Sequence, residues 1–352
     1  MIVIGIDPHK RSHTAVAVQA QTGELIAELT VPASPEGSSK LVAWALALSE
    51  ASVFALEDCR HVSASLERFL LARELQVVRV PPKLMAGTRR SQRSRGKSDA
   101  IDAGAVARAY LREPGLPPAR LDSQARELKL LTDYRDQLVA ERTRLCNRLR
   151  WHLHELGLGA DLPLRSLDRL RWQQRIQGCL GRAEQTTQVE IAGEQLERIV
   201  ELTRRAKELE REITLRLRRA APALLELPGC AALTAAKVVA EAGGIERFSG
   251  DAALALHAGV APLDASSGEQ RRHRLNRSGN RQLNCALHRI AVTQGRFHPP
   301  ARAYLARRQA EGKTRREALR CLKRHLARTV YRALADAAVD IPMPPQLEPA
   351  LT

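Results

Sequence analysis

Residues 2–31, IVIGIDPHKRSHTAVAVQAQTGELIAELTV, decide how the rest of the chain is read. Ile2–Ile6 is a short continuous apolar run, suited to a buried strand. His13–Gln19 carries Ala15, Val16, Ala17 and Val18, and Gln21-Thr22-Gly23 marks a turn into Glu24–Val31. Three strands joined by short turns form a meander. Asp7 closes the first run, and a chain this basic does not need an acid at a strand end for solubility.

Outward from this meander, the pattern predicts a helix over Ser38–Glu50, a strand over Ser52–Glu57 and a helix over Ala64–Glu74. A strand over Val77–Val80, stopped by two prolines, and a helix from Ser98 to about Arg112 complete the first part. Three consecutive strands, then strands alternating with helices, is the order of a ribonuclease-H-like mixed sheet. The expected fold is therefore an α/β domain over 1–115, a helical arm over 116–220 and an all-α domain over 221–338, with a Pro-rich tail over 339–352. In the arm, Leu121, Leu128, Leu131, Leu138, Leu145, Leu149 and Leu156 fall on heptad-like spacing. Leu196, Ile199, Thr203, Ala206, Ile213 and Leu217 do the same further on. Two long helices in an antiparallel arm used for assembly are expected, with 157–188 as a connection. Arg135, Arg142 and Glu210 on the seam leave coiled coil and ordinary helical bundle both open. LLELPGCAALTAAKVVAEAG outlines a helix-hairpin-helix whose Gly229 turn approaches a phosphate backbone, or a plain packing unit.

The 352 residues hold 56 Lys+Arg against 39 Asp+Glu, a formal charge of +17, which points to a polyanionic partner. Aromatics are 3% of residues, so contacts should go mainly to backbone phosphate rather than stacked bases. The six cysteines are scattered without a CxxC pair, which argues against zinc and disulfide frameworks and for a reducing compartment. The apolar start meets Asp7 too soon for a signal peptide, and no apolar stretch is long enough to span a membrane. A cytoplasmic location follows as the expectation.

Four acids are the candidate catalytic and metal-ligating set. Asp7 and Glu57 end apolar runs that lie side by side in such a sheet, and Asp99 and Asp102, three apart, share one helix face. Four carboxylates in one place repel unless cations occupy the gap. Oxygen ligands favour Mg²⁺, or Mn²⁺, and such ions assist phosphodiester displacement. Asp58 is an alternative to Glu57, although strand alternation points it to the other face. The stretch KLMAGTRRSQRSRGK carries Lys83, Arg89, Arg90, Arg93, Arg95 and Lys97 and no acid, as a clamp for a phosphate backbone would. In GVAPLDASSGEQRRHRLNRSGNRQLNCALHRIA, Ser266 and Ser267 precede Gly268, among Arg271, Arg272, Arg274, Arg277 and Arg281. A serine there suits a nucleophile toward phosphorus with guanidinium support, and Ser-Ser-Gly is also an ordinary turn.

The combination GIDPHK, LED and GKSDAIDAGAVA, then LPG, GVAP, SSG and SGNRQL, resembles the DEDD transposases of the insertion-sequence one-ten family over roughly residues 1–335. That resemblance implies a RuvC-like domain with Asp7, Glu57, Asp99 and Asp102 as metal ligands. It also implies a C-terminal domain whose serine, Ser267 with Ser266 as its neighbour, attacks the scissile phosphate to form a covalent protein–DNA intermediate. Double-stranded DNA, a structured noncoding guide RNA and a homodimer or homotetramer are the implied partners, with action at the bacterial nucleoid. Ser98 stands where the family often has Thr. Three other readings compete: a RuvC-like nuclease using metal-activated water, a non-catalytic nucleic-acid scaffold, and a kinase of the related actin-like fold. The last is disfavoured because GIDPHKRSHT lacks a phosphate-cradling Gly/Thr turn.

Overall fold

The structure is a computed structural model that describes residues 1–85, 98–113, 115–120, 122–159, 161–264, 273–276 and 279–339. Strands β1 (Ile2–Pro8), β2 (Ser12–Gln19), β3 (Leu25–Pro32), β4 (Ser52–Glu57) and β5 (Gln76–Val80) form one sheet in the order β3-β2-β1-β4-β5. β2 runs antiparallel to both β1 and β3. β4 runs parallel to both β1 and β5. This is the mixed sheet of a ribonuclease-H-like domain. Helices α1 (Pro35–Leu48) and α2 (Arg60–Leu71) cover one face, where Leu41, Val42, Leu66 and Leu70 meet Ile2, Ile4, Ile6, Phe54 and Leu56. Helix α3 (Asp99–Arg112) covers the other, where Ala103, Val106 and Ala107 meet Val3, Val16 and Ala55. Covering both faces buries all seven residues of β1, which is why its sequence is continuous rather than alternating.

Helix α1 starts three residues earlier than the sequence pattern predicts. Ser34 caps it, accepting the Gly37 amide at 3.2 Å, and Pro35 occupies the first turn, so the helix begins before its first apolar residue. Helix α2 likewise begins at Arg60 rather than Ala64.

The chain divides into two compact units, Met1–Ser123 with Ala242–Thr352, and Gln124–Glu241. Most of the second is a hairpin of α4 (Ser123–Glu155) and α6 (Thr187–Ala220), each about 50 Å long at 1.5 Å per residue. Its register is antiparallel. Glu127 faces Arg216, Arg135 faces Glu210, Glu141 faces Arg198 and Glu155 faces Gln188. The seam charges are thus paired: Arg135 lies 3.5 Å from Glu210, and Arg142 donates to Thr203 at 3.3 Å. Within the expected connection a further helix, α5 (Leu170–Leu180), buries Trp172, Ile176 and Leu180 at helical spacing against α6. The short helices α7 (Pro222–Glu226) and α8 (Ala232–Ala242) follow, with Gly229 at φ 80° between them.

Beyond them lie α9 (Asp251–His257), α10 (Arg281–Phe297), α11 (Pro299–Ala310) and α12 (Arg315–Val339), with α10, α11 and α12 packed together. The region is helical, but the expected loop over 258–279 contains a two-stranded antiparallel ribbon, β6 (Pro262–Asp264) with β7 (His273–Leu275). Three residues per strand are too few to show a period of two. Among the described residues no helix is long and apolar enough to cross a membrane.

Candidate metal centre

Alternation along two neighbouring strands decides which side chains meet. Ile2, Ile4 and Ile6 of β1 enter the core under α1 and α2, while Val3 enters the core under α3. Asp7 therefore shares the α3 face with Val3 and Gly5. In β4, Phe54 and Leu56 take the first face and Ala55 the second, so Glu57 lies on the face of Asp7. Ile6 is paired with Leu56 in the parallel ladder, which sets Asp7 and Glu57 abreast one residue further on.

Gly5 admits the helix that carries the other two acids. A Cβ there would stand 2.1 Å from the Ala103 carbonyl oxygen and 2.6 Å from the Ala107 amide nitrogen. Only a residue without a side chain lets α3 lie this close to the sheet. Asp102 immediately precedes Ala103 and is buried, while Asp99, one turn earlier, is exposed. Ser98 caps the helix, accepting the Ile101 amide at 3.2 Å. The first-turn amides and the helix dipole favour carboxylates at both positions.

His9 joins the acids. Two residues beyond Asp7, it is held by a tight turn in which its amide donates to the Ser12 carbonyl at 2.8 Å. Its Nδ1 stands 3.8 Å from Asp7 Oδ2, and its Nε2 stands 4.0 Å from Asp99 Oδ1. One ligand atom each from Asp7, His9 and Asp99 lies within 4.8 Å of the others. Asp7 is 5% exposed, and its carboxyl is pushed up to about 6. Burial is the largest cause; the charges of Glu57, Asp102 and Asp99 push the same way, and His9 opposes them. The Cys59 thiol beside them is pushed up to about 11, first by burial and then by Glu57, Asp7 and Asp58. A buried carboxyl crowded by three others is the environment a divalent cation relieves. Carboxylate oxygens fit Mg²⁺ and Mn²⁺.

The remaining candidates are spread more widely. Lys83 is exposed, three residues past Val80, which pairs with Glu57 at the same sheet edge. Arg89, Arg90, Arg93, Arg95 and Lys97 lie outside the described residues, as do Ser266, Ser267, Gly268, Arg271, Arg272 and Arg277. The stems of the ribbon are described, with Arg274 in β7 opposite Leu263. Where the stems meet, a Cβ on Gly279 would stand 2.2 Å from the Gly259 amide nitrogen. Asn284 Nδ2 donates to the Ala258 and Gly259 carbonyls at 2.8 and 3.2 Å, and buried Lys323 donates to Asn284 Oδ1 at 2.8 Å. Arg281 is exposed at the start of α10, whose cap Asn280 accepts the Gln282 and Leu283 amides.

A family model for the DEDD transposase of IS110, described as Transposase, matches residues 4–157, a span that holds all four acids. A second, described as Transposase IS116/IS110/IS902 family, matches residues 221–306. The chain belongs to the IS110-type transposases. It is 28% identical to the uncharacterised protein of insertion element IS116 from Streptomyces clavuligerus, over 99% of this chain and 98% of that one. To the uncharacterised protein of insertion element IS900 from Mycobacterium paratuberculosis it is 27% identical, over 96% of each chain. T. thermophilus RuvC in complex with a Holliday junction substrate aligns at 16% identity and a TM-score of 0.26, over 34% of this chain and 99% of that one. The strand order, rather than that likeness, establishes the sheet.

In this IS110-type transposase, His9 is the site residue that sequence reasoning missed. Its signal was weak, because His9 lies in the turn beyond β1, where the period of two no longer fixes a side.

Proposed function

We propose that this transposase cleaves and exchanges DNA strands with Mg²⁺, or Mn²⁺, held by Asp7, Glu57, Asp99 and Asp102 with His9 at their edge, and with Ser267 as nucleophile. The observation that carries this reading is the convergence of Asp7, His9 and Asp99 on one point, with the Asp7 carboxyl pushed up to about 6. When bound, the cation supplies charge stabilisation to the phosphodiester under attack. The Ser267 Oγ attacks phosphorus, forming a serine–phosphate bond as the bond to the departing strand oxygen breaks, and the serine proton ends on that oxygen. Attack by a hydroxyl of the incoming strand reverses the balance, restoring a phosphodiester and returning a proton to serine. Arg271, Arg272, Arg274, Arg277 and Arg281 neutralise the charge that gathers at phosphorus. Lys83, Arg89, Arg90, Arg93, Arg95 and Lys97, with the Gly229 turn, hold backbone phosphates away from the chemistry.

Residues 1–115 then act as catalytic domain, 116–220 as an assembly arm for a dimer or tetramer, and 221–338 as carrier of the serine loop. The family resemblance supports guidance by a structured RNA and action at the bacterial nucleoid. A nicked suicide substrate tests the mechanism: the wild type should leave DNA attached to protein through denaturation, in Mg²⁺ and not in EDTA. Ser267→Ala, with Ser266 intact, should abolish the adduct. Full strand exchange by that variant would remove the serine assignment. Cleavage with no adduct in the wild type would favour a nuclease using metal-activated water.

A further inference from the structure

A second polar site lies beside the carboxylates. A cavity of about 240 Å³ opens between the β1–β2 turn, the start of α1 and the helix α2. Its polar lining is His9, Lys10, His13, Ser34, Ser38 and Ser65, and no carboxylate is among the described residues that line it. The sign of the lining is opposite to that of the metal centre, and His9 borders both.

His13 makes this more than a surface hollow. It opens the inward row of β2, on the face of Ala15 and Ala17, and is 3% exposed. Its Nδ1 has no hydrogen-bond partner among the described residues. Burial holds the ring below the ordinary histidine range, His9 adds to this, and the Ser12 carbonyl opposes it. Nδ1 is shut off from solvent, so the ring can meet a molecule in the cavity only through Nε2, and an imidazole is a costly residue to bury as mere filling. The end of α1 is not the attraction. Ser34 accepts the Gly37 amide at 3.2 Å, and Glu36 is held below the ordinary carboxylate range by its own amide and by Ser34. The donors that remain are side chains: the Lys10 ammonium, the His13 imidazole and the Ser65 hydroxyl. Such a set fits a tetrahedral oxyanion.

We infer that this cavity is a phosphate subsite, taking a backbone phosphate of the nucleic-acid strand next to the one engaged at the carboxylates. The inference rests on the proposed function, since that reading brings a strand to the edge of the sheet. Lys10 supplies the charge, and His13 is a positioning residue on the buried side of the cavity.

The test is binding of the full chain to a labelled DNA duplex across a salt series, with inorganic phosphate titrated separately by calorimetry. Lys10→Ala, an exposed change that leaves the core intact, should reduce the slope of log affinity against log salt by about one. Lys10→Arg should restore it. His13→Gln should weaken duplex binding roughly tenfold. A wild-type slope and affinity in Lys10→Ala would overturn the subsite. If only inorganic phosphate binding depends on Lys10 and His13, the cavity takes free anion and the strand assignment is overturned. If Asp7→Asn loses its metal response while Lys10→Ala binds as wild type does, the subsite fails and the carboxylate reading stands. A wild type that binds neither metal nor duplex removes both.

Discussion

Replacing Asp7 by Asn should stabilise the metal-free protein and abolish its response to metal. An Asp whose carboxyl rises from 3.8 to about 6 on folding opposes folding at neutral pH by about 3 kcal/mol at 1.36 kcal/mol per tenfold change. Water reaching the exposed His9 and Asp99 screens part of this, leaving about 1–2 kcal/mol. The sign follows from which state ionises first. As pH rises through 3.8 the unfolded Asp ionises while the folded one stays protonated, so wild-type stability falls until about pH 6 and is level above it. Asn removes the effect at the same volume. In EDTA at pH 7.5, Asp7→Asn should melt roughly 2–6 °C above wild type by calorimetry, and the gap should close near pH 4. Adding Mg²⁺ reverses the order, because a ligand at one hundred times its dissociation constant stabilises by about 2.7 kcal/mol. The wild type should gain that and the variant should not. A variant that melts lower than wild type in EDTA, or that gains equally from Mg²⁺, would refute the claim that Asp7 is crowded by carboxylates awaiting a cation.

Gly5→Ala places a Cβ 2.1 Å from the Ala103 oxygen, so α3 must move; a loss of about 1–3 kcal/mol with a weakened Mg²⁺ response is expected in the same melts. Glu57→Gln should blunt that response whereas Asp58→Asn should not, since the two alternate across β4; equal effects would reverse the choice between them. Glu67→Ala removes the carboxylate whose two oxygens accept from Arg79 on β5, and should cost about 1.5–3 kcal/mol in urea unfolding. In the second unit, Lys237 donates to Asp133 and Asp136 at 3.2 and 3.0 Å. Burial opposes these ion pairs, yet Lys237 is raised above 10.5 and Asp133 is held below 3.8. The Asp133 share is present above pH 3.8 and lost as pH falls through its lower folded value; the Lys237 share is present below pH 10.5 and lost above its folded value. Lys237→Met should therefore cost about 1–2 kcal/mol at neutral pH, less at either extreme, read by urea unfolding across pH.

Much of the sheet and its covering helices was legible because its signals are local. Ile2–Ile6 is apolar throughout since both faces of β1 are covered, and each strand is punctuated by Gly, Pro or Asp. The nearness of Asp7 and Glu57 followed from the expected strand order, and the period of two set Asp58 aside. Gly5 was not legible: its reason is the carbonyl of Ala103, nearly one hundred residues away. Helix α5 was missed because Gly and Gln residues dilute its composition, although Trp172, Ile176 and Leu180 stand four apart. The seam arginines looked like defects because their partners, Glu210 and Thr203, sit on the returning helix. Local pattern shows which face is apolar; it does not show which distant residue answers a charge.

The motif blocks near the ribbon carry two kinds of information that a sequence cannot separate. Gly279 meets Gly259 so closely that it accepts no side chain, and Gly259 stands at φ 67°, where a side chain is strained. The Asn280 amide donates to the His257 carbonyl at 2.6 Å, and Asn284 holds two carbonyls of the opposite stem while Lys323 holds Asn284. Thus GVAP and SGN, which read as a signature of nucleic-acid chemistry, include residues whose work is to close the neck of the ribbon. A buried Lys with its charge opposed by burial and by Arg320 is expensive to keep, and a polar chain of this kind is retained where stem geometry matters more than stability. On the proposed function, the serine that follows β6 in the sequence depends on that neck for its aim. Substituting Asn284 or Lys323 would disturb strand exchange through position, without touching a phosphate.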